Sequence, residues 1–377
     1  MDSLPNPYSP EHPAPPAQFA GRRAQLTVFH EALADILAAR PRNLAVPGAW
    51  GTGKTSLLLS CAAITAAEHA AFAPVALGGG IRGLPDLCAT VAAQLGDAVQ
   101  HHGVAETMRE YLDTVSVSVH LGPMKMTRYP KHAADPLLLR FRETLTAAAD
   151  HSPFIVAIDN AEYLQKIDGA LMELRNAFQE VQSSGKSCML LLAGSPNLFA
   201  DRSIAAPASR FFEHTDLEAF SAEETREALT LPLGSSGVSM SDDCINAVHT
   251  LAAGHPWMVI LTAYTLFRVR KTDRISETDL ATAFPMIQSS VGRQVFDVLY
   301  RNAGENGQQI LRSFARTDAV TLSSAEIAEI SGVSNPHPYL GRMCERDPPL
   351  LEKVSRGKYR LAYPLLHAYL ERKMREE

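Results

Sequence analysis

The stretch NLAVPGAWGTGKTSLLLSCAAITAAEHA, from Asn43 to Ala70, decides the fold of this chain of 377 residues. A short apolar segment (43–48) runs into a turn that is rich in glycine (48–55), and the residues after the turn are apolar at helical spacing. This order predicts a buried strand, a loop and a helix.

The turn GAWGTGKT matches the pattern G-x-x-x-x-G-K-[ST] in full. Its glycines let the backbone curl so that successive N–H groups converge on phosphate oxygens, while the following helix presents its positive end. We expect Lys54 to reach the β and γ phosphates of a nucleotide and the Thr55 hydroxyl to ligate Mg²⁺. The predicted ligands are therefore ATP or ADP with Mg²⁺, and the predicted binding residues are Gly48, Ala49, Trp50, Gly51, Thr52, Gly53, Lys54, Thr55 and Ser56.

The aromatic side chain of Trp50, inside this loop, has three interpretations. It packs against a neighbouring subunit, it packs against the adenine, or it is buried locally, which we favour. The loop as a whole has the alternative interpretation of a glycine-rich turn with an incidental lysine. The predicted strand and helix on either side argue against that alternative.

Three further segments are nearly continuous in apolar residues, as strands covered on both faces must be: 73–79, 154–160 and 188–195. Stretches with helical spacing lie between them, at 84–100, 136–149 and 169–182. Strands that alternate with helices predict an α/β fold, a parallel sheet with helices on both faces. A period-two stretch around Gly122 and Pro123 predicts a hairpin inserted at about 114–130.

The two ends of the chain do not show this alternation of strand and helix patterns. Six prolines within the first eighteen residues block helix and ladder hydrogen bonding, which predicts a flexible tail (1–17) outside the fold. After about residue 218 the pattern becomes helical, and shorter helices follow from about residue 289. The last of these precedes LLEKVSRGKYRLAYP, for which we predict two strands about Arg356 and Gly357.

Composition excludes several classes of protein. Lys plus Arg total 35 against 41 Asp plus Glu, so the net charge of -6 gives no chain-wide attraction to nucleic acid or to an anionic membrane. The five cysteines are scattered and form no C-x-x-C pair, which argues against a disulfide framework and a zinc site. No uncharged apolar run reaches the roughly 18 residues of a membrane-spanning helix. We therefore expect a soluble, cytoplasmic protein.

The segment FIVAIDNAEYL ends an apolar strand with Asp159. A carboxylate there suits a second Mg²⁺ ligand that acts through water, and the alternative is an ordinary strand-terminating aspartate. A glutamate that orients the attacking water often follows directly, but this chain has Asn160, whose amide accepts no proton. Either Glu162 does that work or turnover is slow, and we favour slow turnover. Glu162 has a second interpretation as a solvent-facing helix residue.

These motifs together resemble AAA+ and STAND-type P-loop ATPases, in particular a bacterial ATP-binding AAA family that is similar to origin-recognition initiators and transposition-regulator ATPases. FAGRRAQL (19–26) resembles the box whose arginine lies close to the nucleotide, which implies that role for Arg22. LLLAGSPNLF (190–199) resembles the strand whose polar tip senses the γ-phosphate, here Ser195. No second arginine sensor of the G-x-x-R kind stands out.

Two later motifs extend the resemblance. SRFF (209–212) is similar to the box of oligomeric AAA+ proteins whose arginine reaches the ATP of the adjacent subunit. The resemblance makes Arg210 this finger and implies an ATP-dependent homo-oligomer, and a surface arginine is the alternative. GHP (254–256) resembles the lid segment that closes over base and ribose, which implies that Pro256 contacts the nucleotide. The implied domains are an ATPase domain (18–218), a helical lid (219–288) and a winged-helix domain (289–377).

Two functions stay open at this point. The first is an ATP-operated switch, in which ATP closes the lid on the α/β layer and controls assembly or a separately encoded effector protein. The second is an AAA+ machine on duplex DNA, for which the wing supplies four basic residues: Lys353, Arg356, Lys358 and Arg360. From Val291 onward there are 13 basic and 11 acidic residues, so the bias toward DNA is mild. A small-molecule kinase is disfavoured because it needs neither a long lid nor a wing.

Overall fold

The computed structural model describes residues 4–99, 136–199, 209–234 and 236–376. They form two compact units. The sheet unit consists of Arg22–Ala49 and Lys54–Leu217, and the helical unit consists of Met1–Gly21, Trp50–Gly53 and Glu218–Glu377. The hairpin predicted at about 114–130 lies outside the described residues.

The sheet unit is built on a five-stranded sheet whose strands are β1 (Leu44–Pro47), β2 (Ala71–Ala76), β3 (Phe154–Asp159), β4 (Cys188–Gly194) and β5 (Glu213–His214). Their order is β2-β3-β4-β1-β5, and each neighbouring pair is parallel. The predicted parallel sheet is confirmed. The sequence does not predict β5, because two residues are too few to show a periodicity.

Helices flank this sheet: α1 (Arg23–Leu37), α2 (Lys54–Ala67), α3 (Leu84–Val99), α4 (Pro136–His151) and α5 (Ala170–Ser183). Every residue of β4 is buried, and so is every residue of β3 except Asp159 at its end, as expected for strands covered on both faces. The predicted α/β class is therefore confirmed. In β3 the polar residue, Asp159, lies at the end of the strand.

A buried amide pair ties β1 to its neighbours. The side-chain oxygen Oδ1 of Asn43 accepts from the Leu190 N–H at 2.8 Å and from the Gln182 side-chain amide at 3.0 Å. Both amide side chains are at most 5% exposed, so leaving either without its partners would be costly. The pair thus ties the amino end of β1 to β4 and α5.

The helical unit contains α6 (Ala222–Thr230), α7 (Asp242–Ala252), α8 (Pro256–Val269), α9 (Glu277–Val291), α10 (Asp297–Arg301), α11 (Gly304–Ala315), α12 (Ser324–Ser331), α13 (His337–Glu345) and α14 (Pro364–Glu376). Capping boxes begin α6, with Ser221 and Glu224, and α12, with Ser323 and Glu326. One hydrophobic core runs through the unit from Tyr8 to Leu370.

Two short sheets complete the helical unit, and their strands are β6 (Ser239–Met240), β7 (Arg274–Ile275), β8 (Leu322–Ser323), β9 (Leu351–Ser355) and β10 (Lys358–Leu361). The last three form an antiparallel sheet in the order β8-β10-β9. The predicted pair of strands about Arg356 and Gly357 is confirmed as β9 and β10. Among the described helices, none combines the length and the apolar character that crossing a membrane requires.

The N-terminal segment corrects one prediction. Its prolines predict a tail outside the fold, but Tyr8 is only 3% exposed and belongs to the core of the helical unit. Its hydroxyl donates to the Leu229 carbonyl, its ring meets Phe267 edge to face at 6.3 Å, and the Asn6 side-chain amide donates to the Tyr264 carbonyl at 2.9 Å. Prolines disfavour helix and ladder hydrogen bonding, but they do not prevent the burial of an aromatic anchor.

The predicted boundary between residues 288 and 289 is also corrected. Helix α9 continues across it to Val291, and a π-helical turn, Gly292–Phe296, joins α9 to α10. Ile287 on one side and Phe296 on the other are both fully buried in the same core. The change in the helical pattern at about residue 289 therefore marks a change from longer to shorter helices, and the same hydrophobic core continues across it.

Candidate nucleotide site

The candidate site of the sheet unit lies where β1, β3 and β4 end. Because these strands are parallel and adjacent in the order β3-β4-β1, their carboxyl ends meet at one edge of the sheet. The glycine-rich loop leaves β1 there, Asp159 ends β3, and Ser195 follows β4. This edge is where open α/β sheets bind ligands.

Lys54, Thr55 and Ser56 form the first turn of α2. The Thr55 hydroxyl donates to the Asp159 carboxylate at 2.6 Å, so the two predicted Mg²⁺ ligands are in direct contact. The Lys54 ammonium donates to the Gly48 carbonyl at 2.7 Å and to the Ala49 carbonyl at 2.9 Å, which folds its side chain back over the loop.

This donor set fits Mg²⁺ and a phosphate chain. Mg²⁺ takes one or two protein oxygens and completes its shell with water and phosphate, and Thr55 with Asp159 offers that number. The positive N-terminal end of α2 and the ammonium of Lys54 suit phosphate oxygens. The residues present therefore fit a nucleotide with its metal ion.

Asn160 makes two hydrogen bonds that the sequence does not predict. Its backbone is left-handed, with φ 55°, a conformation that asparagine tolerates better than most residues. Its side-chain amide donates to the Leu77 carbonyl at 3.2 Å, and its backbone N–H donates to the Asp159 carboxylate at 2.9 Å. Asn160 therefore fixes the turn after β3 and holds the Asp159 carboxylate in place.

Glu162 lies beside Ser195, which brings two predicted site residues together. The Glu162 carboxylate accepts from the Ser195 N–H at 3.0 Å, and Glu162 is half-buried. The interpretation of Glu162 as a solvent-facing helix residue is therefore wrong. It lies on a 3₁₀ helix, Ala161–Lys166, which starts directly after β3 and passes across the end of β4. A carboxylate in this position is placed at the same sheet edge as Asp159.

Arg210 lies at the opposite edge of the sheet. It precedes β5, which pairs with the amino end of β1, and its side chain is exposed. Arg210 lines a cleft of about 430 Å³ together with Arg42 and Phe212. Arg210 therefore lies away from Lys54 and Asp159 of the same chain, and its role as a finger stays a prediction.

Arg22, the N-cap residue directly before α1, has a left-handed backbone with φ 61° and is only 4% exposed. Burial of an arginine requires partners, so Arg22 has a fixed place in the fold. Its predicted role near the nucleotide stays a prediction.

The middle of the loop, Trp50–Gly53, belongs to the helical unit. Gly51 and Gly53 have φ of 74° and 95°, which favours glycine at both positions. A Cβ on Gly51 would lie 2.6 Å from the His255 ring, so this backbone is also in close contact with the start of α8. Thr52 is buried, at 4% exposure.

Three residues of the helical unit hold Trp50 and Gly51. The Trp50 N–H donates to the Asp347 carboxylate at 2.5 Å, and the Trp50 carbonyl lies 2.9 Å from the His255 ring nitrogen Nε2. The Trp257 N–H donates to the Gly51 carbonyl at 3.2 Å, and the two indole rings are 4.9 Å apart. Trp50 is still 39% exposed, so it packs locally without being buried.

Sequence reasoning missed these three contacts for different reasons. His255 and Trp257 flank Pro256, which is buried at the first position of α8, so the contacts lie beside the residue that the GHP motif singles out. Asp347 is almost 300 positions from Trp50, and nothing in ERDPP distinguishes it from other surface acids. Only the packing of the helical unit reveals it.

Comparison with known families supports the resemblance in part. Residues 18–192 match the AAA ATPase domain family. This confirms the resemblance at the level of that domain, which ends before Ser195, Arg210 and Pro256, so their roles stay predictions. No curated protein shows significant similarity to the chain in sequence.

Comparison with solved structures shows the fold. A Walker-type ATPase of Pyrococcus abyssi has a TM-score of 0.61 at 16% identity, covering 93% of this chain and 96% of that chain. The Holliday junction branch migration motor RuvB of Thermotoga maritima has a TM-score of 0.50 at 16% identity, covering 94% and 95%. The ORC1 protein of Aeropyrum pernix, in complex with DNA, has a TM-score of 0.47 at 17% identity, covering 94% and 93%. The chain thus has the α/β fold of P-loop NTPases and is similar to AAA ATPases over residues 18–192.

Proposed function

We propose that this protein is an ATP-operated switch of the AAA+ or STAND type, which binds ATP with Mg²⁺ and hydrolyses it slowly. The observation that carries the proposal is the hydrogen bond of 2.6 Å from the Thr55 hydroxyl to the Asp159 carboxylate. Thr55 directly follows the loop lysine, Lys54. A loop lysine, a hydroxyl and a strand-end carboxylate are the parts that phosphate-loop enzymes use to hold a nucleotide and its metal ion. When bound, Mg²⁺ neutralises charge on the transferring phosphate.

Slow turnover follows from the side chains after β3. A general base must reach a water beside the γ-phosphate, and the amide of Asn160 cannot take the proton and is bonded to the Leu77 carbonyl. Glu162 is the remaining carboxylate, and it is engaged with the N–H of Ser195. In this proposal turnover is slow because Asn160 cannot act as the base and the Glu162 carboxylate is already engaged, and Ser195 senses the γ-phosphate.

The nucleotide state controls assembly in this proposal. Arg210 is exposed at the sheet edge opposite the Thr55–Asp159 pair, so it serves a neighbouring copy of the chain and not its own site. An arginine that reaches a transferring phosphoryl group contributes roughly 10³ to 10⁵ in rate. Turnover then rises when copies assemble. A separately encoded effector and a cytoplasmic location complete the proposal.

DNA binding is the second candidate function. We propose that α11, α12 and α13 with the β9–β10 hairpin form a winged helix. At the hairpin, Lys353, Arg356 and Lys358 are exposed, whereas Arg360 donates to the Glu352 carboxylate at 2.7 Å. Three exposed cations favour weak contact with a phosphate backbone and give no means of reading sequence. For this reason we place the switch first.

Light scattering after size exclusion, with and without Mg-ATP and duplex DNA, separates the two functions. The switch predicts a larger mass with Mg-ATP alone, and specific ATPase activity that rises with protein concentration. An assembly that forms only with DNA, and whose activity falls steeply with salt, would favour the second function. No change in mass under any condition, with turnover independent of concentration, would contradict assembly control.

Arg210→Ala tests the finger. We expect nucleotide affinity to stay within about twofold and the concentration-dependent part of the activity to disappear, because Arg210 lies away from its own site. Arg140→Ala, an exposed arginine on α4, is the matched control and should behave as wild type. Loss of activity that is equal at low and high protein concentration would mean that Arg210 does not act between copies.

A further inference from the structure

The 3₁₀ helix Ala161–Lys166 of the sheet unit crosses the end of β4 in close contact. A Cβ on Gly194, the last residue of β4, would lie 3.0 Å from the Glu162 carboxylate and 3.2 Å from the Glu162 backbone nitrogen. Since Gly194 has no positive φ, this position needs glycine for space and not for its conformation. Leu164 of the 3₁₀ helix and Leu198 beyond the strand are buried in the same core. The helix therefore has a fixed place on the strand end.

The chain turns sharply directly after β4. The Leu198 N–H donates to the Ser195 carbonyl at 3.0 Å, which closes a four-residue turn (195–198). Pro196 is the second residue of this turn, where the fixed φ of proline favours the bend. The Ser195 N–H donates to the Glu162 carboxylate, as described above. Both backbone groups of Ser195 are therefore hydrogen-bonded within the sheet unit.

Gln165, on the same 3₁₀ helix, bonds to the other end of this turn. Its side-chain amide donates to the Asn197 carbonyl at 2.7 Å and to the Leu198 carbonyl at 2.9 Å. The helix thus holds the turn at two points, since Glu162 accepts from its first residue and Gln165 donates to its last two. Because the turn is bonded at both ends, a rotation about one end would break the hydrogen bonds at the other.

The Ser195 hydroxyl remains available to a ligand. Ser195 is half-buried, and no residue in the described ranges bonds to its hydroxyl. It lies at the sheet edge where Asp159 ends β3, the edge at which the proposed nucleotide binds. A hydrogen bond contributes most when its donor is held in place before the ligand arrives, because less conformational entropy is then lost. The bonds that hold the serine backbone therefore affect how well its hydroxyl binds a ligand oxygen.

We infer that Gln165 is a positioning residue for the Ser195 hydroxyl, and that it acts through the turn 195–198 to favour a nucleoside triphosphate over a diphosphate. The inference rests on the proposed function, in which Ser195 senses the γ-phosphate. Gln165 bonds to the turn and not to the nucleotide, so its effect reaches the ligand only through Ser195. A diphosphate has no γ-phosphate for the serine to bind, and its affinity does not depend on Gln165.

Calorimetric titration of the full chain with Mg-ATP and with Mg-ADP tests the preference. Gln165→Met keeps the length of the side chain and removes both donors. We expect its Mg-ATP affinity to fall about fivefold, as for the net loss of roughly one hydrogen bond, and its Mg-ADP affinity to stay within about twofold. Gln179→Met, at an exposed glutamine on α5 in the same unit, is the matched control and should leave both affinities unchanged.

A double-mutant cycle with Ser195→Ala tests whether Gln165 acts through the serine. Ser195→Ala removes the hydroxyl and keeps the backbone hydrogen bonds of the turn, so by itself it should lower the preference for Mg-ATP over Mg-ADP. In that background Gln165→Met should have no further effect on the preference, because the group that it positions is gone. Losses that add in the double variant would show that Gln165 acts independently of Ser195 and would overturn the inference.

The outcomes distinguish this inference from the proposed function. If neither nucleotide binds to the wild-type protein, the proposed function itself fails. If both bind, and Gln165→Met either binds them as the wild type does or weakens both by the same factor, the inference alone is overturned. Gln165 is exposed, so the variant should fold, and a urea midpoint close to that of the wild type checks this.

Discussion

The two parts of the phosphate loop are built by different means. Lys54 and Thr55 are positioned by their own helix and by Asp159 at the end of a neighbouring strand, all within the sheet unit. Trp50 and Gly51 are positioned by His255, Trp257 and Asp347 of the helical unit. In the first part, reactive side chains are held by elements close to them in the same unit. In the second part, the backbone is held by residues that are distant in the sequence. We therefore expect changes in the first part to alter chemistry and changes in the second to alter stability.

The largest effect on stability is expected at Tyr8, which anchors the N-terminal segment beside α8. The neighbouring Pro10 carbonyl accepts from the Trp257 ring at 3.0 Å, so this segment also supports the contact between α8 and the loop. Tyr8→Ala removes a buried aromatic ring and should lower the free energy of unfolding by about 3 kcal/mol. Tyr8→Phe removes only the hydroxyl that donates to the Leu229 carbonyl and should cost about 1 kcal/mol.

Urea unfolding of the full chain measures both variants. If Tyr8→Phe and Tyr8→Ala both unfold at the wild-type midpoint, the N-terminal segment contributes nothing to the stability of the helical unit.

A middle-sized effect is expected at Gly51. Gly51→Ala forces a side chain into φ 74° and places its Cβ 2.6 Å from the His255 ring, so we expect a loss of about 2 kcal/mol or more. Gly185→Ala is the matched control, because Gly185 has φ 78° and nothing within 4 Å of an added Cβ. The control should cost only about 1 kcal/mol of backbone strain. Equal losses, measured by urea unfolding, would mean that the contact between Gly51 and His255 is unimportant.

The smallest effect on stability, with a large effect on chemistry, is expected for Asp159→Asn. The asparagine oxygen still accepts from Thr55 at a partly exposed site, so the free energy of unfolding should change by less than about 0.5 kcal/mol. Loss of the charge that Mg²⁺ needs should lower ATP turnover at least about tenfold. The measurements are urea unfolding and phosphate release in Mg²⁺. Full activity in this variant would remove Asp159 from the metal site.

The difference between the two parts also explains what the sequence could predict. Lys54, Thr55 and Asp159 can be predicted because a phosphate loop and a strand-end carboxylate have fixed places in a parallel sheet. The parallel sheet itself can be predicted from the local alternation of strand and helix patterns. The four long strands of that sheet are predictable for the same reason, since continuous burial leaves a continuous apolar run.

Long-range contacts left no such pattern. Tyr8 lies among prolines that signal an unstructured tail, yet its burial depends on a groove formed by α6 and α8. In the sequence, Asn160 stands where a catalytic glutamate is often found. In the structure, its left-handed backbone and its hydrogen bond to the Leu77 carbonyl explain why an asparagine suits this position. Asp347 and Trp50 are in contact although 297 positions separate them in the chain. Each of these depends on tertiary packing that no window of sequence contains.

Calorimetric titration of the folded protein with Mg-ATP, in the wild-type chain and in Lys54→Ala, tests the central claim most directly. The wild-type protein should release or absorb heat with one site per chain, and Lys54→Ala should weaken that binding by about 100-fold because charge-assisted hydrogen bonds to phosphate are lost. The thermal unfolding of the two proteins should be similar, which shows that the variant is folded. Absence of any heat in the wild-type protein, or equal affinity in both, would contradict the assignment of the loop as a nucleotide site.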